Sequence, residues 1–424
     1  MADGEIHGTR TRHIAPVAPV AGRAGTAIVV GAGVGGLTAA AALRRHGWRV
    51  DVFERAASLE PVGAGIALAP NAVKALDSLG FGEWIDQVGV IQGSGGVRRP
   101  DGRWLVRTDL GQVAQHFGRP LVVVPRAELI DALRSRLPGP AIHLDTPVEE
   151  VLAGDETRAA RVRTKHGERS ADLVVAADGL RSSVREALLP AHPGPAYAGF
   201  TAWRMIVQAP ADLQIEPSET WGRGALFGIV PLPGKQLYCY ATANLPEGTR
   251  FEDEQRALLE RFADWHAPIP DLIRRTANEA LLRNDIHWLD KPLQNYHVGR
   301  VAFVGDAAHA MTPNLGQGGC QAIEDAVVLA HELEEEDDGG FLDVASALAA
   351  YTDARRNRTV RIARQSFRAG RMQQMHSPFG IALRNAAVGL AGHLGSGLML
   401  RQMAAVADWT PPTPTDKGYE KFLL

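Results

Sequence analysis

The chain has 424 residues, 45% of them hydrophobic and 22% charged, with a formal net charge of −3. That is globular chemistry with length for two or three packed units, and the weak overall field offers no pull toward nucleic acid or an anionic membrane. Cys239 and Cys320 are the two cysteines, too few for a disulfide framework, which fits a reducing, cytoplasmic compartment.

Residues 1–24 mix Gly, Pro, Ala and charge without an apolar block long enough for a signal peptide, and read as a mobile tail. Thr26 to Val30 is a continuous β-prone run suited to a buried parallel strand. Gly31, Gly33 and Gly36 follow in G-x-G-x-x-G spacing, then an Ala-rich helical run from Leu37 to Arg45 stopped by Gly47. Arg49 to Phe53 reads as a second strand ending at Glu54. The first glycine permits a tight turn, the second lets a pyrophosphate approach the backbone, and the third lets helix and strand pack closely. The helix N-terminus offers free N–H groups to phosphate. Glu54 stands where an acidic residue takes ribose hydroxyls, which suits the adenosine of FAD or NAD equally.

Further along, Leu121 to Val124 is a buried strand and Arg126 opens a helix. An arginine at a helix start opposes the helix dipole, so a ligand contact would explain it. Leu173 to Ala176 reads as a strand, Asp178-Gly179 as a turn, and Ser182 as an N-cap. Asp178 fits either an Asx-turn that fixes the loop or a direct ligand contact. Ala198 to Val207, Ala225 to Val230 and Gln236 to Ala243 read as strands of a second sheet, parted by Pro and Gly turns. Alternation puts Trp203 and Met205 on one face and Arg204 on the other, with Tyr238 and Tyr240 sharing a face. Which face looks at a ligand is open. Trp203, Arg204, Phe227 and Tyr238 are the candidate substrate residues, and Arg204 serves either as a carboxylate clamp or as the partner of a nearby acid.

Helices are expected at about 252–263 and 343–372. Between them, Val301 to Val304 is a strand, Gly305-Asp306 a turn, and Pro313 to Gly319 a glycine-rich loop. A helix starts at Gly318 and runs through Glu324 and Asp325 to about Glu335, and the acidic run at 332–340 is its end and a solvated loop. The apolar stretch from Phe379 to Ala407 is interrupted by Arg384, Asn385, His393 and Arg401, and reads as a packed helix pair rather than a membrane contact. The histidines fall into no H-x-x-x-H or H-E-x-x-H spacing and there is no C-x-x-C, so no metal site is expected.

The three clusters G-x-G-x-x-G, D-G and G-D, in this order, resemble the fingerprints of the class A flavoprotein monooxygenases, the aromatic-ring hydroxylase family. G-A-G-I-A-L-A-P-N-A at 63–72, V-P-R-A-E-L at 124–129 and A-W-R at 202–204 are similar too. P-N-A and G-Q-G-G-C-Q-A-I-E-D-A sit nearest the salicylate hydroxylase and zeaxanthin epoxidase branch. The resemblance covers about residues 25 to 370. It implies an α/β fold: a Rossmann-like FAD-binding domain (25–92, 120–190 and 285–336) with an inserted β-sheet substrate domain (93–119 and 191–284). A C-terminal helical region (341–408) and a tail (409–424) follow.

By the same resemblance FAD is held by Gly31, Gly33, Gly36, Glu54, Arg55, Arg126, Asp178, Gly305 and Asp306. Asp306 meets the ribityl chain, and Pro313, Gly316, Gly318 and Gly319 lie along the isoalloxazine ring. His309 is given a structural or FAD-proximal role ahead of a catalytic one. Cys320 reads as a small packing residue. The implied reaction uses NADH or NADPH as a transient reductant and O₂, which adds at flavin C4a to give a hydroperoxide that hydroxylates an aromatic or related cyclic substrate. The alternative is an epoxidase or an oxidative tailoring enzyme acting on a larger natural-product scaffold. No nucleic-acid partner and no stable membrane insertion are expected, and the assembly is a monomer or homodimer.

Overall fold

A computed structural model describes residues 25–59, 65–88, 94–210, 215–334, 343–393 and 403–413. The expected tail at 1–24, the Gly63-Ala64 pair, and most of the acidic run at 332–340 lie outside the described residues.

The chain opens as expected: a strand Thr26–Val30, a helix Val34–Arg45 and a strand Arg49–Phe53. These sit in a six-stranded sheet with spatial order His297–Val298, Val301–Phe303, Leu173–Ala176, Thr26–Val30, Arg49–Phe53 and Ile142–His143. Every pairing but the first is parallel. Parallel strands need cover on both faces, and these strands are accordingly near-continuous runs of Val, Ile, Ala and Phe. The first helix is buried along its alanines, and these small side chains let a second helix, Gly318–Glu332, lie close against it.

The second large sheet has seven strands in the order Leu282–Trp288, Ala196–Gln208, Gln236–Ala243, Ala225–Leu232, Ser218–Trp221, Ser94–Arg98 and Trp104–Asp109. It is antiparallel except where Ser218–Trp221 runs parallel to Ser94–Arg98. Leu282–Trp288 carries this sheet past the expected edge at 284. One face is covered by the helices Glu254–Phe262 and Ile269–Arg274, which form a separate apolar core with Trp203, Met205, Phe227 and Cys239. A two-stranded pair, Gly65–Leu68 with Val122–Pro125, lies between the two large sheets: Val122–Pro125 packs on Ala225–Leu232, and Gly65–Leu68 on the Gly318–Glu332 helix.

A long helix, Val344–Gln373, runs along the molecule and is followed by an outer helix, Pro378–His393. The outer helix departs from expectation. It rests against the Trp104–Asp109 strand, yet its large apolar side chains are not packed away. Phe379 is 81% exposed and Leu383 and Leu390 are each 62% exposed, whereas Arg384, its one charged residue, is 3% exposed.

Candidate functional site

The glycine loop has the steric form that its spacing predicts. Gly31 holds φ +102°, and a Cβ there would stand 2.5 Å from the Ala177 carbonyl oxygen. A Cβ on Gly36 would stand 2.0 Å from the Gly31 carbonyl oxygen, so the third glycine sets how closely helix and turn approach. A Cβ on Gly33 would meet no atom within 4 Å. Gly33 caps the first helix without any side-chain hydrogen bond, and no acid lies in the first turn. Its N–H groups and the positive end of its dipole therefore face an open surface that fits a phosphate. Glu54 closes one edge of the loop. Its Oε2 accepts from Ala32 N at 2.7 Å and its Oε1 from Ala56 N at 2.8 Å. Arg55 is exposed beside it.

The second cluster meets the first because Leu173–Ala176 pairs with Thr26–Val30. Asp178 Oδ2 accepts from Val184 N at 3.1 Å and Ser183 Oγ at 3.4 Å, while Oδ1 is buried without a partner. Asp178 therefore fixes its loop and also keeps one oxygen for a donor from outside. Ser182 caps the helix Ser183–Leu188 through Arg185 N at 2.9 Å, as its position predicts. Arg185 was not anticipated. It donates to the carbonyls of Ala307 at 2.9 Å and Leu180 at 2.7 Å, which ties the D-G loop to the G-D loop. The only signal for it was its place in R-S-S-V-R.

In the third cluster, Gly305 turns the chain at φ +63° with its N–H on Asp325 Oδ2 at 2.9 Å. Asp306 follows, its side chain exposed. Neighbouring protein atoms still push its carboxyl pKa up, against the opposing influence of His309, Arg126 and Arg185. Arg126 is exposed at the start of its helix, so its charge reaches Asp306 across the cleft. Pro313–Leu315 forms one 3₁₀ turn, Gly316 takes φ +63°, and the next helix begins at Gly318 without a side-chain cap or an acid in its first turn. A Cβ on Gly318 would lie 3.8 Å from Asp306 Oδ1, and one on Gly319 would lie 2.8 Å from Ile66 Cδ1. A second bare helix N-terminus thus opens beside Asp306. Cys320 is buried, and burial pushes its thiol pKa up to about 12, consistent with a packing residue.

Behind this loop lies a buried ionic cluster. Glu324 and Asp325 are fully buried and Arg355 is 1% exposed. Arg355 Nε donates to Asp325 at 2.7 Å and Arg355 Nη1 to Glu324. Arg358 makes a two-pronged contact with Glu324, both bonds 2.8 Å. Asn71 Nδ2 donates to Glu324 at 2.6 Å and to Gln317 at 3.1 Å. His309 Nε2 contacts Asp325 at 2.5 Å, which gives this histidine a structural role. Burial raises the Asp325 pKa, but His309 and Arg355 outweigh it and hold the carboxyl at about 2. Each buried acid is met by an arginine and by further hydrogen-bond donors, the condition under which buried charge is tolerated. It locks together the P-N-A and G-Q-G-G-C-Q-A-I-E-D-A runs and the long helix.

The seven-stranded sheet sorts the four substrate candidates into two pairs. Trp203 and Phe227 are 1% and 0% exposed on the helix-covered face. Trp203 Nε1 donates to Glu254 at 2.8 Å and Phe227 stacks edge-on against Phe262, so both are core residues and neither lines a cleft. Arg204 and Tyr238 are on the opposite face, toward Gly65 and the cofactor-side strands. A Cβ on Gly65 would stand 2.7 Å from the Tyr238 ring. Arg204 donates to Asn284 Oδ1 at 3.1 Å, and its charge opposes the rise that burial gives the Tyr238 pKa. The expected acid partner is not there: among the described residues Arg204 makes no ion pair. Two further residues on this face were not among the candidates, although Tyr240 was expected to share the Tyr238 face. Tyr240 lies against Gly228 and donates to Glu219 Oε1 at 2.5 Å, and Trp221 Nε1 donates to Glu219 Oε2 at 2.8 Å.

Residues 25–366 match the FAD binding domain family. The aurachin C monooxygenase/isomerase of Stigmatella aurantiaca is 39% identical over 362 residues, covering 85% of this chain and 92% of that protein. The 2-heptyl-3-hydroxy-4(1H)-quinolone synthase of Pseudomonas aeruginosa is 32% identical over 371 residues, covering 86% and 94%. Among solved structures, Klebsiella pneumoniae HpxO complexed with FAD and uric acid superposes with a TM-score of 0.83 at 27% identity, covering 91% of this chain and 97% of that one. With three glycine clusters converging on one cleft and a family match over most of its length, the chain belongs to the FAD binding domain family of single-component, FAD-dependent aromatic-ring monooxygenases.

Proposed function

We propose that this monooxygenase takes electrons from NADH or NADPH and inserts one atom of O₂ into a planar nitrogen heteroaromatic ring that carries an apolar substituent. The observation that carries the reading is the pair of bare helix N-termini, at Gly33 and Gly318, on two helices packed against each other, with Asp306 beside the second. Bound FAD supplies two-electron transfer from the nicotinamide and the activation of O₂.

The chain's own groups hold and tune. The amides after Gly31 and Gly33 receive the pyrophosphate, Glu54 the ribose hydroxyls, and Arg55, Arg126 and the free Asp178 Oδ1 complete the grip. Gly305 and Asp306 face the ribityl chain. Pro313, Gly316, Gly318 and Gly319 let the backbone lie flat along the ring, and the dipole starting at Gly318 favours negative charge on its nearest edge. Residues 25–92, 120–190 and 285–336 form the cofactor unit, 93–119 and 191–284 the substrate unit, and 341–408 the bracing helices. We place the protein in the cytoplasm as a monomer or homodimer.

The substrate side is the sheet face bearing Arg204, Tyr238 and Tyr240. A cavity of about 690 Å³, lined by Phe200, Asn244, Phe367, Met372 and Met375 and not by Arg204 or Tyr238 themselves, supplies room for the rest of the substrate. It abuts the flavin loop, since Gly370 on its wall packs against Asn314. That volume takes a bicyclic ring with a tail. Relatives named for a heptyl quinolone and for aurachin C support this class. The isomerase half of the latter name favours, as a second reading, oxidative rearrangement of a larger scaffold.

The test is anaerobic reduction by NADH and NADPH with a panel of quinolones, urate and hydroxynicotinate, followed by product mass spectrometry. A quinolone is expected to accelerate flavin bleaching and to gain 16 mass units on admission of air. Arg204→Met is expected to raise KM roughly 10- to 100-fold with FAD content intact, because it removes a charged donor to the ring oxygen. Flavin bleaching that no ring compound stimulates, or an unchanged KM, would count against the assignment.

A further inference from the structure

The outer helix is built inside out. A helix on a soluble protein buries its apolar stripe and shows its charges. Here Phe379, Leu383 and Leu390 face outward while Arg384 is buried, donating to the Gln373 and Gly222 carbonyls under the Trp221 ring. The outward face also carries Ala382, Ala386 and Ala387 and no charged residue.

The net charge of −3 hides a local segregation. Between Asp353 and Asp408 the sequence has no Asp or Glu and nine arginines. Arg355 and Arg358 belong to the buried cluster, Arg356 bonds the Leu293 carbonyl, and Arg384 is enclosed. Arg361, Arg364, Arg368 and Arg371 are exposed at i, i+3, i+7 and i+10, one face of the long helix. None of the four makes an ion pair among the described residues, although Asp290 borders the same crevice as Arg364. Arg368, Arg371 and Gly380 line one cavity, so the basic row and the start of the apolar helix share a rim.

We propose that this surface docks on an anionic lipid bilayer, with the outer helix lying in the interface and the arginine row on the headgroups. Apolar area plus basic charge is the two-part signal for peripheral binding. No helix of the described residues is long and apolar enough to cross a membrane, so the contact is superficial. A second copy of the chain fits less well, because a two-fold contact presents the same patch on both subunits and would bring two acid-free arginine rows toward each other. Docking also places the mouth of the 690 Å³ cavity at the lipid surface. That last consequence rests on the proposed substrate site, whereas the docking does not.

The experiment is sedimentation of the full-length holoenzyme with vesicles of phosphatidylcholine alone or mixed equally with phosphatidylglycerol, without substrate. The protein is expected to pellet with the mixed vesicles at low salt and to release as salt rises. Arg361→Gln with Arg364→Gln should weaken binding roughly 20-fold. Phe379→Ser with Leu383→Ser should abolish it, with flavin absorbance retained in both variants. Equal pelleting with neutral and mixed vesicles, or none with either, overturns the proposal without recourse to variants. So does a wild-type dimer in gel filtration that Phe379→Ser with Leu383→Ser converts to a monomer while vesicle binding stays absent. Vesicle binding is read apart from turnover, so its failure leaves the catalytic reading standing.

Discussion

Arg355→Met is expected to be the most destabilising single change in the protein, by about 3–5 kcal/mol in chemical denaturation. The guanidinium is 1% exposed and bonds both Glu324 and Asp325. Removing it leaves Asp325 with His309 and the Gly305 N–H, and Glu324 with Arg358 and the Asn71 and Gln321 amides, with both acids buried and one buried cation gone. Arg358→Met should cost clearly less, since Arg358 is 17% exposed and Arg355 still serves both acids. The cluster also sets an acid limit. Asp325 titrates at about 2 in the fold against 3.8 ordinarily. A depressed carboxylate pKa gives stability that is present above its unfolded value and is lost as pH falls through the folded one. That loss should run from about pH 4 to about pH 2, and in Arg355→Met it should shrink, because without the guanidinium the folded pKa of Asp325 rises toward its unfolded value. A thermal melt series against pH checks both. An Arg355→Met protein as stable as the wild type would mean that the cluster is not closed as described.

The second large effect separates two glycines of one motif. In Gly36→Ala the new methyl meets the Gly31 carbonyl at 2.0 Å. Backbone cannot step aside, so the helix must leave the sheet, at a cost of about 2 kcal/mol or more. FAD should be lost together with stability. In Gly33→Ala the methyl meets no protein atom within 4 Å, and φ −74° with ψ −178° is open to alanine. The apoprotein should stay within about 1 kcal/mol of wild type. FAD affinity should nevertheless fall more than roughly tenfold, because the methyl fills the face on which the pyrophosphate rests. Flavin fluorescence titration and apoprotein melting read the two separately. Wild-type affinity in Gly33→Ala would remove the first helix from the cofactor site.

Elements with strong local patterns were legible in the sequence. Thr26–Val30, Arg49–Phe53, Leu173–Ala176 and Gln236–Ala243 lie where their apolar runs and flanking turns place them. The helix start at Gly318 followed from the glycine loop. Side-chain partners across the chain were not legible. Nothing local joins Asn71, Glu324 and Arg355, which meet only once three helices have packed. Alternation separated Trp203 from Arg204 but could not say which of them faced the cleft, because that depends on which side the Glu254–Phe262 helix covers. Arg185 looked like one more arginine in a basic loop until the Ala307 carbonyl appeared beside it. The outer helix was misjudged as packed because composition reports how apolar a helix is, not what lies against it.

Strand order sets a timetable for how this enzyme is born. Leu173–Ala176 and Val301–Phe303 are neighbours in space, but the whole run from 196 to 288 is synthesised between them. A nascent polypeptide therefore leaves the ribosome with its nucleotide site half built, and must hold it open while a foreign sheet assembles in the gap. Such distant pairing folds slowly. On the proposed cofactor site, FAD can complete its contacts only once Gly305 to Gly319 have been translated, so the vitamin-derived ligand cannot guide the early steps.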